Sequence, residues 1–267
     1  MPFFTTNDSV KINFHDYGNQ TAQALVLIGG YSASEVTWFA QIDAFVAAGY
    51  RVITYDHRSH GDSQQVDYGM TLHRLAMDLH ELMAELELSQ PILLGHSMGA
   101  ATIMAYEELF TDEKLSAVIT EDQAPTFLKD ESWLNGQAGR TLAELETFIE
   151  DFPKTRLTQK TLSDDVKRAL GRGMKFFDFK RHRALLQNVI LQDWRAQLQQ
   201  EKVPHLFFAG GKSPIFPVVQ SQAARDLQKN PQSEIQVFAD CGHILHLEET
   251  QKFNHSVIEF LKKLKKD

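Results

Sequence analysis

Pro91-Ile92-Leu93-Leu94-Gly95-His96-Ser97-Met98-Gly99 runs from a short apolar stretch into a glycine-flanked serine, and a helix-period segment, Met98 to Leu109, follows at once. The apolar run suits a strand buried on both faces of a parallel sheet. Gly95 to Gly99 fits the pattern G-x-S-x-G, the strand–turn–helix element known as the nucleophile elbow. Such a turn is sharp and strained, and a side chain at either glycine position would collide with the neighbouring strand or helix. Ser97 is thereby expected on an exposed tip at a helix N-terminus, where the helix dipole favours developing negative charge.

The same alternation continues on both sides of this stretch. Ala24 to Ile28, Arg51 to Tyr55 and Leu115 to Ile119 are further near-continuous apolar runs, and Glu35 to Ala48 and Thr71 to Leu88 carry helix periodicity between them. Strand alternating with helix implies right-handed βαβ crossovers and a doubly wound sheet. Val10 to Phe14 alternates in polarity and reads as an antiparallel edge strand. From Thr126 to Gln199 the pattern is helical, over Leu142 to Leu145, Val166 to Leu170 and Leu185 to Leu198, with no convincing strand. The alternation resumes with His205 to Ala209, a helix from Val218 to Gln228, the strand Glu234 to Phe238 and a last helix. The expected organisation is a sheet core over residues 1–125 and 200–267, interrupted by a helical cap over residues 126–199. The cap would cover the C-terminal edge of the sheet, where open α/β sheets bind ligands.

Composition narrows the class of function. The 267 residues are 43% hydrophobic and 23% charged, as in ordinary globular chains. A net charge of -8 argues against nucleic acid as a partner, because phosphate binding needs a basic surface. The apolar runs are far too short to span a bilayer, and the opening residues lack a basic segment followed by an apolar one, so neither a membrane partner nor a secretory signal is expected. The lysines between Lys262 and Lys266 read as solvated cations completing the dipole of a final helix. The single cysteine, Cys241, can form no intrachain disulfide, and a cytoplasmic location is the expectation. Nothing fixes the oligomeric state.

At the elbow the chain resembles the α/β-hydrolase family, and the resemblance extends over nearly its whole length. Tyr55-Asp56-His57-Arg58-Ser59-His60-Gly61-Asp62-Ser63 looks like the family's D-x-R-G-x-G-x-S loop, with Ser59 where a glycine is usual. Asp240 to Glu248 looks like the family's late G-H segment, which supplies the catalytic histidine. The likeness is greatest to the capped esterase, haloperoxidase-like and C–C hydrolase branches. It implies a mostly parallel, eight-stranded sheet with a helical cap.

A serine hydroxyl needs a positioned base, and histidine titrates in the right range. Of the eleven histidines, His243 follows a strand and a glycine in the loop where the family places its base. His246 is the nearest rival and reads better as the start of the last helix. His96 adjoins the serine but should point away from it. For the oxyanion, the resemblance implies two backbone N–H groups: that of Met98, after the nucleophile, and that of Tyr31, in Ile28-Gly29-Gly30-Tyr31-Ser32. Gly29 stands where the family usually has histidine, which raises a question about the rigidity of that loop.

The third triad member is less direct. The segment that usually carries the acid is Ala209-Gly210-Gly211-Lys212-Ser213-Pro214, with Ser213 in its place. A neutral serine cannot stabilise an imidazolium as a carboxylate does. Some relatives take the acid from the end of the sixth strand, and Asp122 falls there in Ile119-Thr120-Glu121-Asp122-Gln123-Ala124-Pro125. Glu121 faces the other way on an extended chain and is the alternative, as is no acid at all. Asp56 and Asp62 are expected to brace their loop through Arg58 and backbone amides. Phe176 to Phe179 forms an aromatic cluster in the cap, Asp193-Trp194 reads as a hinge, and Trp133 is expected near the entrance. His57 and His60 lie close together but are explained by their loop neighbours, so no metal or other cofactor is expected.

Ser97 excludes dehalogenase and epoxide hydrolase chemistry, which need a carboxylate at its position. The implied activity is hydrolysis of a small-molecule carboxylic ester, with a cap rich in Phe and Leu favouring short or medium acyl groups. C–C hydrolysis, cofactor-free dioxygenation and a non-catalytic ligand receptor on the same fold are the alternatives.

Overall fold

The computed structural model describes residues 2–136, 139, 141–173 and 175–265. In chain order the first half contains β1 (Phe3–Thr5), β2 (Lys11–Tyr17), β3 (Ala24–Ile28), α1 (Phe39–Ala47), β4 (Arg51–Tyr55), α2 (Leu72–Glu85), β5 (Ile92–His96), α3 (Met98–Phe110) and β6 (Ala117–Glu121). Then come α4 (Leu142–Asp151), α5 (Asp164–Gly173), α6 (Arg183–Ile190) and α7 (Arg195–Gln200), followed by β7 (His205–Gly210), α8 (Val218–Leu227), β8 (Glu234–Phe238), α9 (Leu245–Glu248) and α10 (Thr250–Leu264). The strands form one eight-stranded sheet in the order β1-β2-β4-β3-β5-β6-β7-β8. β1 and β2 are antiparallel to their neighbours and every other pairing is parallel. The expected doubly wound α/β class is therefore the one found.

The apolar runs are continuous because both faces of the sheet are covered. Along β3, Val26 and Ile28 join the core beneath α2 and α3, while Leu25 and Leu27 join the core beneath α1 and α10. β5 and β6 divide in the same way, Leu93 and Val118 against Leu94 and Ile119. This is the period-2 alternation of a strand, hidden in the sequence because neither face meets water. Helix α2 buries Leu72, Leu75, Ala76, Leu79, Leu82 and Met83, a stripe at helical spacing, and starts where the Thr71 side chain accepts the Arg74 N–H.

Two details differ from the sequence reading. The segment around Val10 to Phe14 belongs to β2, which is not an edge: β1 pairs outside it, with Phe4 opposite Ile12. Three residues are too few to display a period. The helix expected over Leu185 to Leu198 is broken between α6 and α7, where Asp193 bridges Thr126 and the Trp194 N–H donates to Pro125 O at 2.9 Å. Chain entry to the α4–α6 segment and exit from it are thus tied together.

No helix among the described residues is long and apolar enough to cross a membrane. Near the end of α10, Lys262 pairs with Glu259, Lys263 with Glu234, and Lys265 lies over the Tyr50 ring. Lys266 lies outside the described residues.

Candidate active site

Ser97 sits between β5 and α3 with φ 52° and ψ −119°, a conformation that strains any residue with a side chain. Its surroundings show why both flanking positions are glycine. A Cβ on Gly95 would lie 2.5 Å from Ala100 N, and one on Gly99 would lie 2.2 Å from Ile28 O. The second close approach puts the start of α3 against the end of β3. A Cβ on Gly30 would lie 3.3 Å from Ser97 Cβ, so the loop that carries Tyr31 runs beside Ser97 and the first turn of α3.

The end of the neighbouring strand places a carboxylate beside this turn. The Ser97 N–H donates to Glu121 O at 2.9 Å, and β6 ends there. Asp122, fully buried and at φ 48°, turns its carboxylate toward the loop after β8. Its Oδ2 is 2.6 Å from His243 Nδ1. The same oxygen accepts from Ser213 Oγ at 2.5 Å, and Oδ1 accepts the Gly210 N–H at 2.9 Å. Burial raises the Asp122 carboxyl above its ordinary value, while the donors from His243, Ser213 and Gly210 pull the other way. Ser213, which the sequence offers only as a missing acid, is thus a partner of Asp122, the residue just after β6.

His243 is held by its main chain, with its N–H donating to Leu157 O at 2.7 Å and its carbonyl accepting from His96 Nε2 at 3.0 Å. Nδ1 is engaged by Asp122, which leaves Nε2 as the nitrogen available for proton transfer. No hydrogen bond joins Ser97 Oγ to that nitrogen among the described residues, and such bonds often tighten only when substrate is bound.

Glu121 goes elsewhere. It accepts both the N–H and Nδ1 of His246, the latter at 2.8 Å, and His246 Nε2 meets Thr37 Oγ1 at 2.8 Å while its ring stacks on Trp38. Burial alone would raise the Glu121 carboxyl, but His246 and His96 beside it hold it below its ordinary value. His246 lies in α9, and this second buried pair anchors the base-bearing loop to the sheet. Adjacent acids on opposite faces carried the signal, although a role for Glu121 was not legible in it.

The Tyr31 side chain reaches into the α4–α7 segment. Its hydroxyl donates to His182 O at 3.1 Å, and its ring meets Phe177, Phe152 and Phe179 edge-on. A cavity of about 310 Å³ lies beside it, lined by Tyr31, Ile149, Pro153, Phe179, Arg183 and Leu186 among others. Of the aromatic run, Phe177 and Phe179 turn inward and Phe176 is 90% exposed. Trp133 lies beneath the Arg195 guanidinium.

One smaller expectation needs correction in part. Arg58 does not reach Asp56 or Asp62: it is buried in ion pairs with Asp78 and Asp8. Asp56 is instead satisfied by Asn13 Nδ2 and the N–H groups of Glu35 and Asp62, and Asp62 pairs with Lys175. Among the described residues no group of His, Cys, Asp and Glu is arranged to hold a metal ion.

Comparison with known proteins agrees with this architecture. The model of the alpha/beta hydrolase family matches residues 25–255. The chain belongs to the alpha/beta hydrolase family. It is an enzyme of that superfamily, and its relatives include esterases and haloperoxidases. A non-heme chloroperoxidase from Kitasatospora aureofaciens is 26% identical over 98% of this chain and 100% of that protein. The structure of a bromoperoxidase from Bacillus anthracis superposes with a TM-score of 0.83 at 25% identity, covering 98% of this chain and 100% of the other. An esterase from Exiguobacterium antarcticum superposes with a TM-score of 0.85 at 23% identity, over 97% of this chain and 98% of that one, a likeness of fold.

Proposed function

We propose that this alpha/beta hydrolase cleaves small carboxylic esters through an acyl-enzyme on Ser97. The observation that carries the reading is the buried Asp122–His243 contact, 2.6 Å long, on the strand next to the one that ends in a strained serine. In this mechanism Ser97 Oγ attacks the ester carbonyl and its proton passes to His243 Nε2. The imidazolium is stabilised by Asp122, and the charge on the carbonyl oxygen by the N–H groups of Met98 and Tyr31. Collapse of the tetrahedral intermediate breaks the C–O bond, and the alcohol leaves with the proton from His243. Water, deprotonated by the same histidine, then attacks the acyl-enzyme and releases the acid and Ser97.

The aromatic roof of Phe152, Phe177 and Phe179 over Tyr31 supports a short or medium acyl group. The test is turnover of nitrophenyl esters from short to long acyl chains, with a fluorophosphonate as covalent probe. Wild-type protein is expected to be labelled at Ser97 and to prefer the shorter esters. Ser97→Ala is expected to lose labelling and turnover by a factor on the order of 10⁶. More than a few per cent of activity remaining in a folded Ser97→Ala protein defeats the proposal.

A further inference from the structure

The loop after β3 carries two glycines in succession, and only one of them is demanded by space. A Cβ on Gly30 would lie 3.0 Å from His96 Nδ1 and 3.3 Å from Ser97 Cβ. One on Gly29 would meet nothing closer than Ala33 Cβ at 3.6 Å, an ordinary contact. The turn that must aim the Tyr31 N–H is therefore built from residues with unusual backbone freedom and contains no side chain of its own to restrain it. Within the loop the Ala33 N–H donates to Gly30 O at 3.1 Å, and further restraint comes from the loop after β4 and the end of β5. His57 Nε2 lies 3.2 Å from Gly29 O. A carbonyl can only accept, so Nε2 carries the proton. The His57 ring comes from the loop after β4 and is itself confined by Tyr55 and His60, at 5.1 and 5.7 Å between ring centres.

His96 performs a double contact. Its Nε2, protonated for the same reason, donates to the His243 carbonyl at 3.0 Å, and its Nδ1 edge abuts Gly30. One ring thus spans from the main chain of the base to the turn of the oxyanion hole. Both imidazoles are buried, and burial pushes each down to about 3, so both stay neutral. Each also leaves Nδ1 buried without a partner. A buried unsatisfied nitrogen destabilises the fold, a cost that a phenylalanine would avoid. What the imidazole offers against that cost is its Nε2–H.

We infer that His57 and His96 are positioning residues for the acyl-transfer reaction, holding the Gly29-Gly30 turn so that the Tyr31 N–H meets the developing oxyanion. The inference rests on the roles of Ser97 and Tyr31 proposed above.

The experiment begins with titration of Ser97 by a fluorophosphonate, so that every kcat refers to competent sites. Wild-type protein that is neither labelled nor active on nitrophenyl butyrate overturns the proposed function, and the inference with it. With an active wild type, His57→Phe removes the donor and His57→Gln keeps one. His57→Phe is expected to lower kcat per titrated serine by about 10- to 100-fold, less than or near the loss of an oxyanion donor itself. KM should stay within about threefold, and inhibition by phenylboronic acid should weaken by the same factor as kcat/KM, because the tetrahedral adduct uses the same hole. His57→Gln should recover most of the rate. His57→Met serves as a second donor-free variant if the phenylalanine does not fold. His96→Phe, which loses the donation to the His243 carbonyl but keeps a ring edge beside Gly30, should also lower kcat per titrated serine. The inference is overturned for His57 or for His96 if the folded donor-free variant keeps wild-type kcat per titrated serine. It is equally overturned if the whole loss lies in fewer titratable sites or in KM, as expected of a merely structural role.

Discussion

Asp122 receives three donors, from His243, Ser213 and Gly210, which come from the end of β7 and from the loops after β7 and β8. A carboxylate so placed can fix the imidazole tautomer and stabilise the cation that forms during turnover. Asp122→Asn is expected to lower kcat by about 10⁴, since the amide can present an N–H to Nδ1 and favour the wrong tautomer. Ser213 Oγ lies 2.5 Å from the same carboxylate oxygen, so a carboxylate introduced there approaches the same ring. Ser213→Asp in the Asp122→Asn background should therefore recover part of the rate, measured on nitrophenyl butyrate. Near-normal kcat in Asp122→Asn would remove the residue from the mechanism. Glu121, bound to His246 on the other face, should behave differently. Its loss belongs to stability rather than to the chemical step.

At the level of elements, the site is a junction of strand ends. The ends of β3, β5 and β6 present Tyr31, Ser97 and Asp122 side by side because these strands are parallel neighbours in the sheet. The junction of β3 with α3 is one of its tight points. A methyl group at position 99 would meet the Ile28 carbonyl oxygen at 2.2 Å, a backbone atom that cannot swing aside as a side chain would. Gly99→Ala is expected to cost about 1–3 kcal/mol in urea unfolding and to lower kcat disproportionately, because relief must come from moving the loop that carries Tyr31. An alanine variant with unchanged unfolding midpoint and unchanged kcat would show that the packing there is slack.

The whole molecule carries a further buried charge problem, away from the serine. Glu107 of α3 and Glu201, after α7, are both buried, and their carboxyls lie within hydrogen-bond reach of each other. His205 Nδ1 lies 2.9 Å from Glu201, but burial holds His205 well below its ordinary value, so it offers no reliable positive charge. Burial raises both carboxyls, Glu201 from 4.5 to about 8, with hydrogen bonds from Glu107 and Gln228 opposing the rise and Asp112 adding to it. A carboxyl raised on folding contributes stability in full below its unfolded value and loses it as pH climbs through its folded value. Resistance to urea is therefore expected to fall between pH 6 and pH 9, by an amount on the order of a few kcal/mol. Glu107→Gln should flatten that decline by removing one of the two acids. A wild-type protein equally stable at both pH values, or a variant with the same slope, would contradict this.

The alternation of apolar runs and helical periods was enough to specify a doubly wound sheet, because strands buried on both faces and amphipathic helices each leave a local signature. Gly95-His96-Ser97-Met98-Gly99 marked the elbow for the same reason, since the steric need for glycine is met within a few residues of chain. The tertiary structure alone decided the rest. β1 became the edge and displaced β2 inward, though a strand of three residues has no readable period. Ser213 became a donor to Asp122 rather than a vacancy, and His57 and His96 came to rest on the Gly29-Gly30 turn. These contacts join residues far apart in the chain, and a side chain's hydrogen-bond partner depends on which strand ends the sheet brings together, a quantity that no local pattern contains.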